Sequence, residues 1–337
     1  PFIRVASIVF STASQRERRP VGSMVAGSPP RWLVHSRVSP ALATGEPECM
    51  PKVIDPFMPE GPEIRRAADK VASVLVGRRI EEVGFGLASL KPFEKLLSGH
   101  TVTAVDTRGK AMLTRFDNDL TIYSHNQLYG RWYTVRRPRM PKTNRQLRVE
   151  LCTATHKALL YSASDIAVLD DAGLSAHPFL ARVGPDILDR SLTTSLIVDR
   201  LQAPQFRNRA LGSLYLDQAF LAGNGNYLRS EILWAAGIEP SRKPASLTAS
   251  ERQVLAAETL KIAWRSYGSG GVTVTRRLAS QLKAEGLSRS RYRFYVFGRE
   301  DQPCRRCGST IERRTMGSRN LFTCRVCQPH VSTGEQL

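Results

Sequence analysis

Two groups of residues in this 337-residue chain have the types and spacing to do chemistry. Cys304-x-x-Cys307 and Cys324-x-x-Cys327 stand 16 residues apart, and two such knuckles can set four thiolates tetrahedrally around zinc. Cysteine fills every position and leaves none for water, so the expected group is one structural zinc ion, with no organic cofactor. The second group is Met58-Pro59-Glu60-Gly61-Pro62-Glu63, which has the look of a chain start. With Met58 removed, Pro59 is a secondary amine of pKa near ~8, able to attack a carbonyl carbon and give an iminium unaided. Inside an intact chain the same nitrogen is an inert tertiary amide.

Other chemistries lose their support. Pro303-Cys304-x-x-Cys307 matches half of a zinc deaminase signature, yet none of the six histidines opens a His-x-Glu. No His-Glu-x-x-His occurs, and no Gly-x-x-x-x-Gly-Lys-Ser/Thr. Lys+Arg 49 against Asp+Glu 30 gives a net charge of +19, enough positive potential to draw a polyanion, so nucleic acid is the leading partner. Forty-two per cent apolar residues suits globular cores, and no apolar run of about 18 residues offers a spanning helix, so no membrane partner is expected. Cys152, in a strand-like run, reads as a small buried hydrophobe, and Cys49 invites no function.

The elements that must position these residues follow from periodicity. Pro62 suits the first helical position, and Ile64, Ala67, Ala68, Val71, Val74 and Leu75 keep a 3.6 period up to Gly77. Alternating runs then predict strands at Arg79–Phe85, Thr101–Thr107, Lys110–Phe116, Leu120–His125, Arg131–Val135, Leu147–Cys152, Ala158–Tyr161 and Ile166–Leu169. Turn signals separate them and no helices alternate with them, which favours an antiparallel sandwich or barrel over parallel α/β. From about Leu192 helices take over. Leu211, Leu214, Ala219 and Phe220 read as one apolar face ending at Gly223-Asn224-Gly225-Asn226, with a second helix over Tyr227–Ala236. Thr248 and Glu251 have capping-box spacing, and 266–271 reads as a glycine-rich break.

Five motifs in this order resemble the formamidopyrimidine-DNA glycosylase and endonuclease VIII family. They are Pro59-Glu60-Gly61-Pro62-Glu63-Ile64, Thr107-Arg108-Gly109-Lys110-Ala111, the run from Tyr123 to Gly130, Gly225-Asn226-Tyr227-Leu228-Arg229 and the four cysteines. The resemblance spans Met58 to about His330, and Gly61, where the formamidopyrimidine-DNA glycosylases typically carry Leu, favours the endonuclease VIII branch. It implies a bifunctional DNA glycosylase and abasic-site lyase acting on oxidised pyrimidines. By resemblance Pro59 is the nucleophile, Glu60 its acid/base partner, and Glu63 a support near the positive end of the helix dipole. Lys110, on its own an ordinary surface cation, assists glycosidic cleavage and β-elimination. Arg319, at the expected hairpin tip, grips the phosphates flanking the lesion and assists δ-elimination. Asn226 either takes a left-handed turn or binds a lesion-side phosphate, or does both. Leu128 and Tyr129 on their own read equally as core residues; by resemblance they and Gln127 fill the gap left by an everted nucleotide, offsetting the few kcal/mol that unstacking costs. Arg182 is a further DNA contact. Asn224 departs from the family, which is usually apolar there.

The expected fold is α+β and multidomain. A leader spans 1–57, a helix-led β-sandwich catalytic domain 58–183 and a hinge 184–190. A helix-two-turn-helix domain spans 191–287, a zinc hairpin 288–330 and a tail 331–337. The leader is rich in proline and lacks a hydrophobic period, which reads as disorder or as non-native translation ahead of Met58, with an organelle-targeting segment as a further alternative. The mature enzyme is expected to begin at Pro59 and to act on damaged double-stranded DNA as a monomer in the bacterial cytoplasm, at the nucleoid. Were the leader retained, the same chain would be a non-catalytic lesion-DNA-binding protein.

Overall fold

In this computed structural model residues 59–330 are described, so the expectations for Met58, the leader with Cys49, and the tail lie outside the described residues. Glu60, in extended backbone, is the N-cap of α1 (Gly61–Leu75), which starts one residue before the predicted Pro62. Ile64, Ala68, Val71 and Leu75 repeat every three or four residues and are buried. Each of the larger three contributes about 1.5–3 kcal/mol by leaving water.

After α1 come β1 (Glu82–Phe85), α2 (Phe93–Leu97), β2 (Val102–Arg108), β3 (Ala111–Phe116), β4 (Thr121–His125), β5 (Arg131–Arg136), β6 (Leu147–Cys152), β7 (His156–Tyr161), β8 (Asp165–Leu169) and α3 (Asp171–Ala176). The strands make two four-stranded antiparallel sheets, in the orders β2-β3-β4-β8 and β1-β6-β7-β5. Phe85, Val102, Met112, Ile122, Val149, Leu151 and Leu160 share a core with Ala68, Val71 and Leu75 of α1. Cys152 is buried in its strand, as its small apolar character suggests. The first predicted strand is shorter than expected, since Arg79 forms only an isolated bridge with Thr101. Helices α2 and α3 went unforeseen because five or six residues hold too few turns to show a period.

The helical part comprises α4 (Thr194–Gln202), α5 (Leu211–Leu214), α6 (Asn226–Ala235), α7 (Ala249–Ser269), α8 (Arg276–Ala284) and α9 (Arg289–Tyr292). The hairpin β9 (Glu312–Met316) and β10 (Arg319–Thr323) follows. Leu211, Leu214 and Phe220 are buried as expected, but the helix stops at Leu214, so Ala219 and Phe220 belong to turns and not to one helical face. Thr248 caps α7 and Glu251 completes the box. The predicted break comes late: α7 runs through Gly268 and ends at Gly270, whose φ of 71° only glycine adopts freely.

Several hydrogen bonds tie the two parts together. Arg66 of α1 donates to the Tyr267 carbonyl at 2.8 Å, and the Tyr267 hydroxyl donates to Asp69 at 2.6 Å. Gly61 N–H donates to the Gly223 carbonyl at 2.8 Å. Asp186, buried between the parts, accepts from Gly109 N–H at 2.7 Å and from Leu188 N–H at 2.8 Å. Asp186→Ala strands both donors, which costs on the order of 2–3 kcal/mol and lowers Tm by roughly 5–10 °C in a thermal melt. An unchanged Tm would show that this tie holds nothing.

Candidate active site and nucleic-acid interface

The site begins with the direction in which Glu60 points. Its backbone N–H donates to Glu63 Oε2 at 3.1 Å, while its own carboxylate turns away from α1 to the start of α6. There Oε1 accepts from Tyr227 N–H at 2.8 Å and Oε2 from Leu228 N–H at 3.2 Å. Unsatisfied amides at a helix N-terminus carry partial positive charge and hold an anion well. Gly225 is glycine for this reason, since a Cβ there would overlap the Glu60 carboxyl group. Burial nonetheless dominates the titration of Glu60 and pushes its pKa up to about 7, with Lys110 opposing the rise and Glu63 adding to it.

Glu63 stands beside it. The Tyr227 hydroxyl donates to Glu63 at 3.0 Å and pairs with Ser266 Oγ at 2.8 Å, and Arg293 Nη2 lies 4.0 Å from Glu63 Oε1. Burial raises the Glu63 pKa, against the pull of these donors. Lys110 follows Gly109, whose φ of 62° and close approach to Ala222 turn the chain into β3. Burial lowers the Lys110 pKa, Glu60 draws it back up and Arg319 pushes it down, so the two carboxylates, Lys110 and Arg319 act on one another. Pro59, half-buried, is joined to this group through Glu60.

Arg319 opens β10 opposite Met316, at the tip of the hairpin as expected, and is exposed. Its position is set by Arg229, a residue the sequence reading quoted only as part of a turn. Arg229 is fully buried and donates to the carbonyls of Gly212 (2.6 Å), Met316 (3.0 Å) and Arg319 (3.2 Å) and to Asn226 Oδ1 (2.8 Å). One guanidinium thus fixes both the hairpin tip and the Asn226 side chain. Burial lowers its pKa to about 10, which still leaves it charged at neutral pH. The available signal was its place three residues after Asn226, on the same helix face. Asn226 is not the left-handed residue considered above: it is the first residue of α6, and the positive φ of 93° belongs to Gly223.

Gln127, Leu128 and Tyr129 form a projecting loop after β4, with Leu128 56% and Tyr129 66% exposed. Core packing is thereby excluded for both side chains. Arg182 is exposed at the junction and donates to the Pro178 carbonyl at 3.0 Å; no contact ties it to the carboxylate group. The four cysteines do converge. Their sulfurs lie within 4.8 Å of one another, with Cys304 Sγ and Cys327 Sγ 3.8 Å apart and Cys307 Sγ and Cys324 Sγ 3.4 Å apart. Tetrahedral Zn–S bonds of about 2.3 Å require sulfur separations of about 3.8 Å, so these residues fit one zinc ion and form no open coordination position.

A β-sandwich, a helical module and a four-cysteine hairpin meeting at buried carboxylates and cations define the class of zinc-bearing DNA glycosylases. The family profiles agree: the formamidopyrimidine-DNA glycosylase N-terminal domain matches residues 58–164, its H2TH domain 183–277, and the zinc finger found in FPG and IleRS 301–329. The chain is 50% identical over 271 residues to Endonuclease 8 of Escherichia coli (strain K12 / DH10B), covering 80% of this chain and 100% of that protein. The figures are the same for Endonuclease 8 of Shigella sonnei (strain Ss046). Among solved structures, Lactococcus lactis Fpg in complex with abasic-site DNA shares the fold at a TM-score of 0.66 and 20% identity, over 80% of this chain and 100% of that one. The chain belongs to the formamidopyrimidine-DNA glycosylase and endonuclease VIII family, whose members are DNA glycosylases and abasic-site lyases of base excision repair. Among the described residues no helix is long and apolar enough to cross a membrane.

The Asn224 departure has a local consequence. Its side chain is fully buried, and neither amide atom meets a hydrogen-bond partner. Asn224→Leu removes that burden and is expected to stabilise the fold by about 1–2 kcal/mol, raising Tm by roughly 3–6 °C. A lower Tm in the variant would mean that the amide is satisfied.

Proposed function

We propose that the chain, when it begins at Pro59, removes oxidised pyrimidines from duplex DNA and cuts the strand by β,δ-elimination. The observation that carries this reading is the buried Glu60 carboxyl, one residue from Pro59, with a pKa near 7 and Lys110 and Arg319 in its field. The Pro59 amine attacks C1′ of the damaged nucleotide, and the base leaves with the bonding electron pair. The Glu60 proton passes to the ring oxygen as the sugar opens and the iminium forms. That cation acidifies the C2′ proton; its loss expels the 3′ phosphate, and loss of a second proton expels the 5′ phosphate. Lys110 stabilises the first elimination, and Arg319 grips the flanking phosphates and assists the second, with Glu63 holding the Glu60 backbone. Asn226, at a helix N-terminus, and Arg182 receive phosphates, and Gln127, Leu128 and Tyr129 occupy the vacated stack. Zinc on Cys304, Cys307, Cys324 and Cys327 would supply rigidity to the hairpin that bears Arg319.

The same proposal divides the chain into a leader over 1–57, catalytic sandwich over 58–183, hinge over 184–190, DNA-binding helices over 191–287, zinc hairpin over 288–330 and tail over 331–337. It places a monomer in the bacterial cytoplasm, at the nucleoid. The direct test is borohydride trapping on thymine glycol DNA. A chain beginning at Pro59 should become covalently linked to the DNA, and one retaining Met58 should bind it without linkage. Correctly folded, zinc-loaded protein that traps in neither form would end the proposal.

A pH profile tests the division of labour. Pro59 must lose a proton to attack, so the rate climbs toward its ordinary pKa of ~8. Glu60 must hold one, so the rate falls as pH rises through about 7. Single-turnover borohydride trapping, which reads iminium formation, should therefore peak between these values, and Glu60→Gln should be slow and lack the alkaline fall. A fall that persists in Glu60→Gln would assign it to another group.

A further inference from the structure

The projecting loop is clamped from three separate elements of the chain. His125 ends β4, paired with Ala111 beside Lys110 on one side and with Asp165 of β8 on the other. Its ring packs edge-on against Phe179 at 5.9 Å, and its Nδ1 accepts the Gln127 N–H at 3.1 Å. Gln127 has a φ of 51°, a left-handed conformation that a glutamine holds only when its surroundings impose it. Gly130 N–H closes the loop on the Asn126 carbonyl at 2.7 Å. From the segment before β8, Ser164 Oγ donates to Gln127 Oε1 at 2.8 Å, and from the segment before β6, Arg145 donates to the Tyr129 carbonyl.

We propose that His125, aided by Ser164 and Arg145, is a positioning residue that keeps Leu128 and Tyr129 raised as a preformed wedge, ready to enter the base stack. This rests on the reading of the loop given above. Ordering a loop on binding costs conformational entropy residue by residue, and that cost would add to the cost of unstacking. A loop ordered in advance presents its apolar and aromatic side chains at no such penalty. The acceptor must be an unprotonated ring nitrogen, and burial lowers the His125 pKa, with Asp165 opposing and Lys110 adding to the shift.

Asparagine can place an acceptor where Nδ1 lies; leucine cannot. The experiment uses the chain beginning at Pro59 and a duplex with 2-aminopurine next to a non-cleavable abasic analogue, whose fluorescence rises on unstacking. His125→Leu should slow that rise about fivefold, the worth of one net hydrogen bond, while His125→Asn stays within about twofold. Excision of thymine glycol should fall by the same factor in duplex DNA and stay unchanged in a single strand, where nothing has to be unstacked. Ser164→Ala, at an exposed position that does not endanger folding, should move the same signal in the same direction. Equal loss in the Leu and Asn variants, or equal loss on single and double strands, overturns the proposal. Because the fluorescence step precedes chemistry, a protein that unstacks DNA without cutting it refutes the catalytic reading and leaves this one standing.

Discussion

Everything near the site is arranged around one buried carboxylate held between two helix starts. Glu60 begins α1 through its backbone and ends at α6 through its side chain, 167 residues further along the chain. An unpaired buried carboxylate is among the more costly groups a protein can hold, and two N–H donors plus a helix dipole reduce that cost without removing it. The remaining cost appears as the raised pKa. The same interaction therefore fastens the sandwich to the helical module and leaves the carboxyl titrating near neutral pH. A tighter cap with more donors would hold the two parts together more firmly and depress the pKa, leaving a carboxylate with no proton to give.

Close backbone approach follows from that geometry. The Gly61 N–H to Gly223 bond and the Gly225 contact with Glu60 bring the start of α1 and the turn before α6 within hydrogen-bonding distance. Gly109 reaches the same turn from the sheet side and is tied to Asp186. Lys110 is thus carried into the field of Glu60 by constraints on its neighbour and not by a salt bridge of its own. Burial holds its pKa down, Glu60 draws it back up, and Arg319 and Glu63 act on it in opposite directions.

The sequence made some of this legible and hid the rest for identifiable reasons. Short apolar and alternating runs located the strands of both sheets, even though β3 and β4 are buried on both faces, against the α1 core on one and against Leu174, Phe179 and Leu180 on the other. Thr248 and Glu251 announced α7, since a capping box is a local interaction between neighbours in the chain. Local signals misled where tertiary packing decided the outcome. Phe220 is buried as its pattern suggests, but from a turn, and α7 continues through the exposed Gly268 because Ser266 bonds Tyr227 and Tyr267 bonds Arg66 and Asp69 of α1. Pro59, Glu60, Lys110 and the cysteines were visible as motifs, whereas Arg229 was not: a charged residue in a helix gives no sign that its acceptors are carbonyls of a hairpin about 90 residues away. Nor did the sequence show which way the Glu60 carboxylate turns, because an N-cap ordinarily serves its own helix.

The zinc hairpin and the buried arginine together explain how a small, remote element can take part in chemistry at the other end of the chain. A two-stranded hairpin has too little core to hold its own shape in water, and here Ile311 and Phe322 pack with Trp234 and Val296 above the four converging cysteines. This anchors the base of the hairpin but not its tip, where Gly317 and Ser318 turn the chain with positive φ. Arg229 fixes the tip by donating to three hairpin carbonyls, those of Met316, Arg319 and Asn320, and the charge it needs for this stays buried. It also donates to Asn226 Oδ1 and to the Gly212 carbonyl, so Asn226 and the hairpin tip that bears Arg319 are held at a set separation by one rigid planar group. A lysine has three donors on a single nitrogen and no planar fork, so it could not span Asn226, Gly212 and the hairpin carbonyls together, and the spacing between Asn226 and Arg319 would be lost even with every charge retained.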